Sequence, residues 1–258
     1  MAKRSVISDM DGVIYRGKTM IKGADDFVAR MLESNTPFLF LTNNSEQTPL
    51  DLQRKLEGLG IHGLSEKNFI TSAMATAEFL KEQRPGGSAW VIGGAGLTNA
   101  LYNAGFSITE NNPDYVVVGK TRHYDFDLIK RAVRLISKGA RFIATNPDVV
   151  DPMEDGLEPA CGSLLAPIEL ATGRKPYVVG KPNSLMMLIA RKQLEARASQ
   201  TIMIGDRMDT DIVGGMESGM ITCLVLSGVT DRGMIDAFPY RPHHIFETIG
   251  DIYPEKLD

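Results

Sequence analysis

Cysteine is scarce in this chain: Cys161 and Cys223 are the two among 258 residues. They stand far apart, with no C-x-x-C pair and no histidine at metal-ligand spacing, so neither a disulfide framework nor a zinc site is indicated. Histidine is nearly as rare, and His62, His123, His243 and His244 are scattered in a way that suits surface or capping roles. A basic excess is missing too. The 28 Lys and Arg face 32 Asp and Glu, a formal net charge of −4, which argues against a general nucleic-acid or anionic-membrane surface. No apolar run approaches the ~18 residues of a membrane-spanning helix, and the apolar stretch behind Lys3 and Arg4 is too short for a signal peptide. These absences lead to the expectation of a cytoplasmic globular chain, and 43% hydrophobic with 23% charged residues agrees with it.

Repeats and low-complexity segments are likewise lacking, and the 13 methionines are spread as core filler. Gly93-Gly94-Ala95-Gly96 follows a strand-like run and precedes a helical one. It falls short of G-x-G-x-x-G, because positions 98 and 99 are Thr and Asn, and no acidic residue is placed to hold a ribose. It reads as a tight turn between strand and helix.

What the chain does have is a set of short apolar runs, each ending in polar residues. Ser5-Val6-Ile7-Ser8 leads to Asp9-Met10-Asp11-Gly12, two carboxylates one residue apart and then a glycine that lets the backbone turn. Such a pair repels unless a cation or hydrogen-bond donors hold it. Phe38 to Leu41 leads to Thr42-Asn43-Asn44, Tyr177 to Gly180 leads to Lys181-Pro182, and Thr201 to Ile204 leads to Gly205-Asp206 and Asp211. In an open parallel sheet all strand exits share one edge, where ligands bind at the reversal of strand order. The four clusters are therefore expected together in one crevice of one sheet.

Strand and helix patterns alternate along the whole chain, as in doubly wound α/β folds. A hairpin is expected around Gly17-Lys18, and helices from Gly23 to Ser34 and from Thr48 to Gly58, the second opened by Pro49. Ser72 is expected to cap the next helix. Gln83-Arg84-Pro85-Gly86-Gly87 is the clearest punctuation and reads as an interdomain joint. Beyond it the alternation restarts, with an irregular stretch up to Gly162 and, near the C-terminus, a helix from Asp231 to Phe238. The expected architecture is a discontinuous core of residues 1–82 and 179–258, interrupted by an α/β cap of residues 83–178.

Together these motifs resemble the haloacid dehalogenase superfamily, whose marks are D-x-D-G, a Thr or Ser after the second strand, a distant Lys, and G-D-x-x-x-x-D. Asp9-Met10-Asp11-Gly12, Leu41-Thr42-Asn43-Asn44, Gly180-Lys181-Pro182 and Gly205-Asp206 to Asp211 match them. With Thr145-Asn146-Pro147-Asp148, the similarity is to the large-cap branch, the NagD-type nucleotide and p-nitrophenyl phosphate phosphatases. The resemblance implies a Rossmann-like parallel-sheet core, an inserted α/β cap and a flap at Gly17-Lys18.

It also implies a Mg²⁺-dependent phosphomonoester hydrolase acting through an aspartyl-phosphate. Asp9 is the implied nucleophile and Asp11 the general acid and base. Thr42, Asn43, Asn44 and Lys181 are implied on the phosphoryl oxygens. Mg²⁺ is implied on Asp9, Asp206 and the Asp11 carbonyl, with Asp211 orienting a bound water. Asn146 and Asp148 are implied in contacting a small substrate, a nucleoside monophosphate by preference. A sugar-phosphate phosphatase, a phosphomutase and a non-enzymatic nucleotide sensor are the alternatives. The partner is a small phosphomonoester rather than nucleic acid or membrane, and self-association into a homo-oligomer is compatible with the sequence.

Overall fold

A computed structural model describes residues 4–153 and 156–257. The chain divides into two compact units that the backbone visits alternately. Met1–Thr42, Pro49–Ile70 and Lys181–Asp258 form the first, and Asn43–Thr48 and Thr71–Gly180 the second. The elements open with β1 (Ser5–Ser8), the hairpin strands β2 (Tyr15–Arg16) and β3 (Thr19–Met20), α1 (Ala24–Glu33), β4 (Phe38–Thr42), α2 (Pro49–Gly58) and β5 (Phe69–Thr71). Then come α3 (Ser72–Gln83), β6 (Ser88–Ile92), α4 (Ala95–Asn103), β7 (Ser107–Ile108), β8 (Tyr115–Val118), α5 (Phe126–Ser137) and β9 (Arg141–Ala144). A hairpin of β10 (Val150–Met153) and β11 (Gly156–Pro159) precedes α6 (Cys161–Thr172) and β12 (Tyr177–Val178). The last elements are α7 (Ser184–Gln193), β13 (Thr201–Gly205), α8 (Val213–Glu217), β14 (Ile221–Val225) and β15 (His244–Phe246).

The first unit is built on a sheet of order β15-β14-β13-β1-β4-β5. β1 runs parallel to both neighbours, with Val6 opposite Ile202 on one side and Phe38 on the other. Every residue of β1 is buried, as expected of a strand covered on both faces. The core against α1 and α2 is largely aromatic and aliphatic, with Phe27, Phe40, Phe69, Leu52 and Leu56 fully buried. The chain builds outward from β1 to β5, then resumes at β13 on the other side of β1. That reversal sets the carboxyl ends of β1, β4 and β13 around one switch point, where Asp9, Thr42 and Asp206 fall.

The second unit has its own parallel sheet, β12-β9-β8-β6-β7. Its core gathers Trp90, Ile92, Val116, Val118, Ile136, Leu164 and Ile168. α5 starts where the Asp125 carboxylate accepts from Leu128 N–H at 2.9 Å, a side-chain cap on one of the helix's unpaired donors.

Several expectations need correcting. The strand before Lys181 does not join the sheet of β1: β12 pairs with β9, Tyr177 opposite Ile143. Its apolar contacts explain why, since Tyr177 stacks on Phe79 at 5.0 Å and Val178 packs on the second core. Residues 231–238 form one 3-10 turn, Ile235–Ala237, instead of a helix. There the Asp231 carboxylate accepts from Gly233 and Met234 N–H, and such local bonds compete with helix. The stretch expected to be irregular contains the β10–β11 hairpin. Thr71, not Ser72, caps α3 by accepting from Met74 N–H. Gln83 to Gly87 is the turn from α3 to β6, inside the second unit; the chain changes unit at Thr42–Asn43, Thr48–Pro49, Ile70–Thr71 and Gly180–Lys181. Among the described residues no helix is long and apolar enough to cross a membrane.

Candidate active site

Asp9 leaves β1 with its N–H donating to Ile204 O at 2.8 Å, which ties the exit of β1 to β13. Its carboxylate Oδ1 accepts from Met10 N–H at 2.8 Å and meets Lys181 Nζ at 2.8 Å. The same Nζ reaches Asp211 Oδ1 at 2.7 Å. Asp211 is fully buried and also accepts from Arg207 N–H at 3.2 Å. Lys181 is thus a buried cation held between two buried carboxylates. Burial alone would lower its pKa, but Asp211 and Asp9 outweigh that and raise it, so it keeps its charge.

Asp206 completes the acid cluster. One carboxylate oxygen each from Asp9, Asp206 and Asp211 lie within 4.8 Å of one another. Burial, then repulsion from Asp9 and Asp211, holds Asp206 well above the usual carboxylate range. Asp211 is pushed up to about 6, by burial first, with Lys181 pulling back. Asp9 is raised by burial against the pull of Lys181. Asp9 and Asp211 thus share the Lys181 ammonium, with Asp206 close beside them. Asp206 Oδ2 accepts from Val229 N–H at 2.7 Å, yet Oδ1 is buried without a partner among the described residues. A buried orphan acceptor beside two more carboxylates is the donor set that a hard divalent cation takes, and the residues fit one.

The backbone around Asp206 is cut to fit. Gly12 has φ +77°, and a Cβ there would stand 2.3 Å from Asp206 Oδ2. A Cβ at Gly228 would stand 1.9 Å from the same atom. Ser227 Oγ donates to Gly12 O at 2.7 Å, which closes the ring. The turn Ser227-Gly228-Val229-Thr230 was not singled out in the sequence, although it is another polar exit from an apolar strand, β14. Asp11 is exposed, and its backbone bridges to Tyr15, over whose ring the Lys55 ammonium sits at 3.5 Å from the centroid. Asp209 is half exposed and pairs with the Arg207 fork at 3.0 and 2.9 Å, as suits a solvated loop residue.

Thr42 is buried at the end of β4 in the first unit, whereas Asn43, Asn44, Asn146 and Asp148 lie in the second. Asn43 Nδ2 donates to Asp148 Oδ2 at 2.9 Å, and Asn43 O accepts from Asn146 Nδ2 at 2.8 Å and Ser72 Oγ at 2.7 Å. Asn44 Oδ1 accepts from the N–H groups of Glu46 and Gln47, both at 2.9 Å. The glycine turn after β6 accommodates this same segment. Gly96 N–H donates to Glu46 O at 2.8 Å, and a Cβ on Gly96 would stand 2.7 Å from Gln47 O. The glycines that imitate a nucleotide fingerprint make room for the protein's own backbone.

Comparisons with known proteins point the same way as this geometry. Residues 6–107 match the family described as haloacid dehalogenase-like hydrolase, and residues 178–252 one described as HAD-hydrolase-like. The chain is 47% identical to dihydroxyacetone phosphatase of Corynebacterium glutamicum, over 96% of this chain and 90% of that protein. It is 41% identical to ribonucleotide monophosphatase NagD of Escherichia coli, over 98% of this chain and 99% of that one. The solved structure of NagD from that bacterium superimposes with a TM-score of 0.93, covering 98% of this chain and all of the other.

Proposed function

The chain belongs to the haloacid dehalogenase superfamily, in its NagD-type branch of phosphatases, and from that premise we propose how its residues divide the hydrolysis of small phosphomonoesters. The observation that carries the reading is the Asp9 carboxylate, pinned through Oδ1 by Met10 N–H and Lys181 at the switch point of the sheet. With one oxygen fixed, Oδ2 attacks phosphorus in line, and the bond to the leaving oxygen breaks as the aspartyl-phosphate forms. Asp11, exposed beside Asp9, gives its proton to the leaving oxygen. It then takes one from the water that hydrolyses the acyl phosphate. Thr42 and Asn43 donate to the transferring oxygens, and Lys181 supplies a charge that burial does not remove.

A divalent metal belongs to this chemistry, and we take it to be Mg²⁺. The Asp9 and Asp206 carboxylates and the Asp11 carbonyl would hold it, with Asp211 beside them fixing Lys181. When bound it would neutralise charge on the phosphoryl oxygens and on the acid cluster. Asp11 also separates this reading from a dehalogenase, which needs no acid at that position.

Nucleoside monophosphates are the substrate class we favour, in line with the name of NagD. The 47% identity to a dihydroxyacetone phosphatase favours short sugar phosphates as a second reading. Phosphate release with Mg²⁺ from p-nitrophenyl phosphate, nucleoside monophosphates and triose phosphates tests both at once. Asp9→Asn should abolish release from all of them, and acid-quenched wild-type protein should carry its phosphoryl label on Asp9. A label on any other residue would overturn the mechanism.

A further inference from the structure

The turn at the exit of β9, Thr145-Asn146-Pro147-Asp148, touches the chain at two points, each next in sequence to a residue proposed to bind the phosphoryl group. The first is Asn43, the residue after Thr42. Its carbonyl accepts from Asn146 Nδ2 at 2.8 Å, and its side-chain amide donates to Asp148 Oδ2 at 2.9 Å. The second is Gly180, the residue before Lys181. Its N–H donates to Thr145 O at 2.8 Å, and a Cβ there would stand 2.5 Å from that oxygen and 2.7 Å from Asn43 Oδ1.

Asn146 is only 3% exposed. Its Nδ2 donates to Thr145 Oγ1 as well as to Asn43 O, and its Oδ1 accepts from Asp148 N–H at 3.2 Å. A buried amide bonded to its own backbone on both ends is built to hold the chain. Ser72 Oγ adds a further hold on Asn43 O at 2.7 Å. We infer that Asn146 and Asp148 are positioning residues, a clamp that sets the Thr42–Asn43 peptide and the Gly180–Lys181 peptide from one turn of the second unit. This deepens the phosphatase reading and rests on it. Direct contact with the leaving group gives the same two residues a different signature.

A clamp acts on the phosphoryl-binding peptides, so its loss is blind to the leaving group. Asn146→Ala and Asp148→Ala should each lower kcat/KM about two- to tenfold per lost hydrogen bond. The factor should be the same for p-nitrophenyl phosphate and for a nucleoside monophosphate. Inorganic phosphate, which has no leaving group, should inhibit each variant more weakly by a similar factor. Asp148→Asn keeps an acceptor for Asn43 Nδ2 and should recover most of the loss, which also covers the case in which Asn146→Ala fails to fold.

A loss confined to one leaving group would overturn the clamp in favour of substrate contact. A lower melting temperature with unchanged kinetics and phosphate inhibition would overturn it in favour of a merely structural role. If the wild type releases phosphate from no substrate, the phosphatase reading fails by itself. Calorimetric affinity for inorganic phosphate, wild type against Asp148→Ala, still reads the clamp: a weaker Asp148→Ala supports it and an equal one overturns it.

Discussion

Asp206 has one carboxylate oxygen bonded to Val229 N–H and another that no group among the described residues satisfies. Without a cation this residue is a cost to the fold, because burial and the charges of Asp9 and Asp211 all oppose its ionised form. With a cation it is an anchor. The sign of its contribution therefore depends on metal, and Asp206→Asn should show a crossing. In chelator the variant should melt at or above the wild type, since the amide is the same size, can still accept from Val229, and removes the repulsion. In saturating Mg²⁺ the order should reverse, because the wild type gains about 2.7 kcal/mol at a hundred times Kd. Thermal melts of both proteins, with and without Mg²⁺, read this directly. Equal Mg²⁺ shifts in the two would remove Asp206 from the metal site. Asp206 itself is legible in the sequence, because a carboxylate after an apolar strand and a glycine has few structural uses. Val229 is not legible, since it serves through a backbone N–H that any residue carries.

Helices and strands differ in how well the sequence announces them. α1 and α2 carry their apolar spacing and, for α2, a proline at the start, and they form within a residue or two of expectation. β7 and β12 are two residues long and owe their place to pairing partners far along the chain, which local pattern does not contain. The glycine turn into α4 is a third kind: visible, with its purpose hidden in a segment some fifty residues upstream. Its purpose gives a prediction whose sign is set by packing. In a helix Ala is favoured over Gly by about 1 kcal/mol, so Gly58→Ala in α2, where nothing lies within 4 Å of the added Cβ, should stabilise by up to that amount. Gly96→Ala in α4 should do the reverse. Its Cβ would stand 2.7 Å from Gln47 O and 2.8 Å from Glu46 C, backbone atoms that cannot rotate away, and such overpacking costs about 1–3 kcal/mol. Urea denaturation of the two variants should move the midpoint in opposite directions. A stabilised Gly96→Ala would mean that the Glu46–Gln47 backbone does not press on this turn.

At the scale of the whole chain, the sequence shows where a second sheet begins, and does not show which residues belong with it. The alternation of strands and helices restarts at Ser88, and that restart marks a second sheet. Nothing in residues 43–48 signals that six residues after β4 belong with that sheet, because their attachment is made by bonds and close approaches rather than by apolar pattern. The excised segment 71–180 tests what they contribute. All of the second core, from Trp90 through Ile168, lies inside it, so the segment should fold and unfold cooperatively. It would, however, lack the partners of Gly96 N–H, Lys120 N–H, Ser72 Oγ and Asn146 Nδ2, which the whole chain supplies from Glu46 O, Ser45 Oγ and Asn43 O. Four such bonds at about 0.5–1.5 kcal/mol each amount to about 2–6 kcal/mol before any gain from water. Residues 43–48 joined to the same segment through a flexible linker should therefore raise its urea midpoint, and a linker of equal length carrying a scrambled sequence should not. If the two midpoints coincide, residues 43–48 do not stabilise the second unit, and the hold on Asn43 that the clamp depends on is too weak to position the peptide beside it.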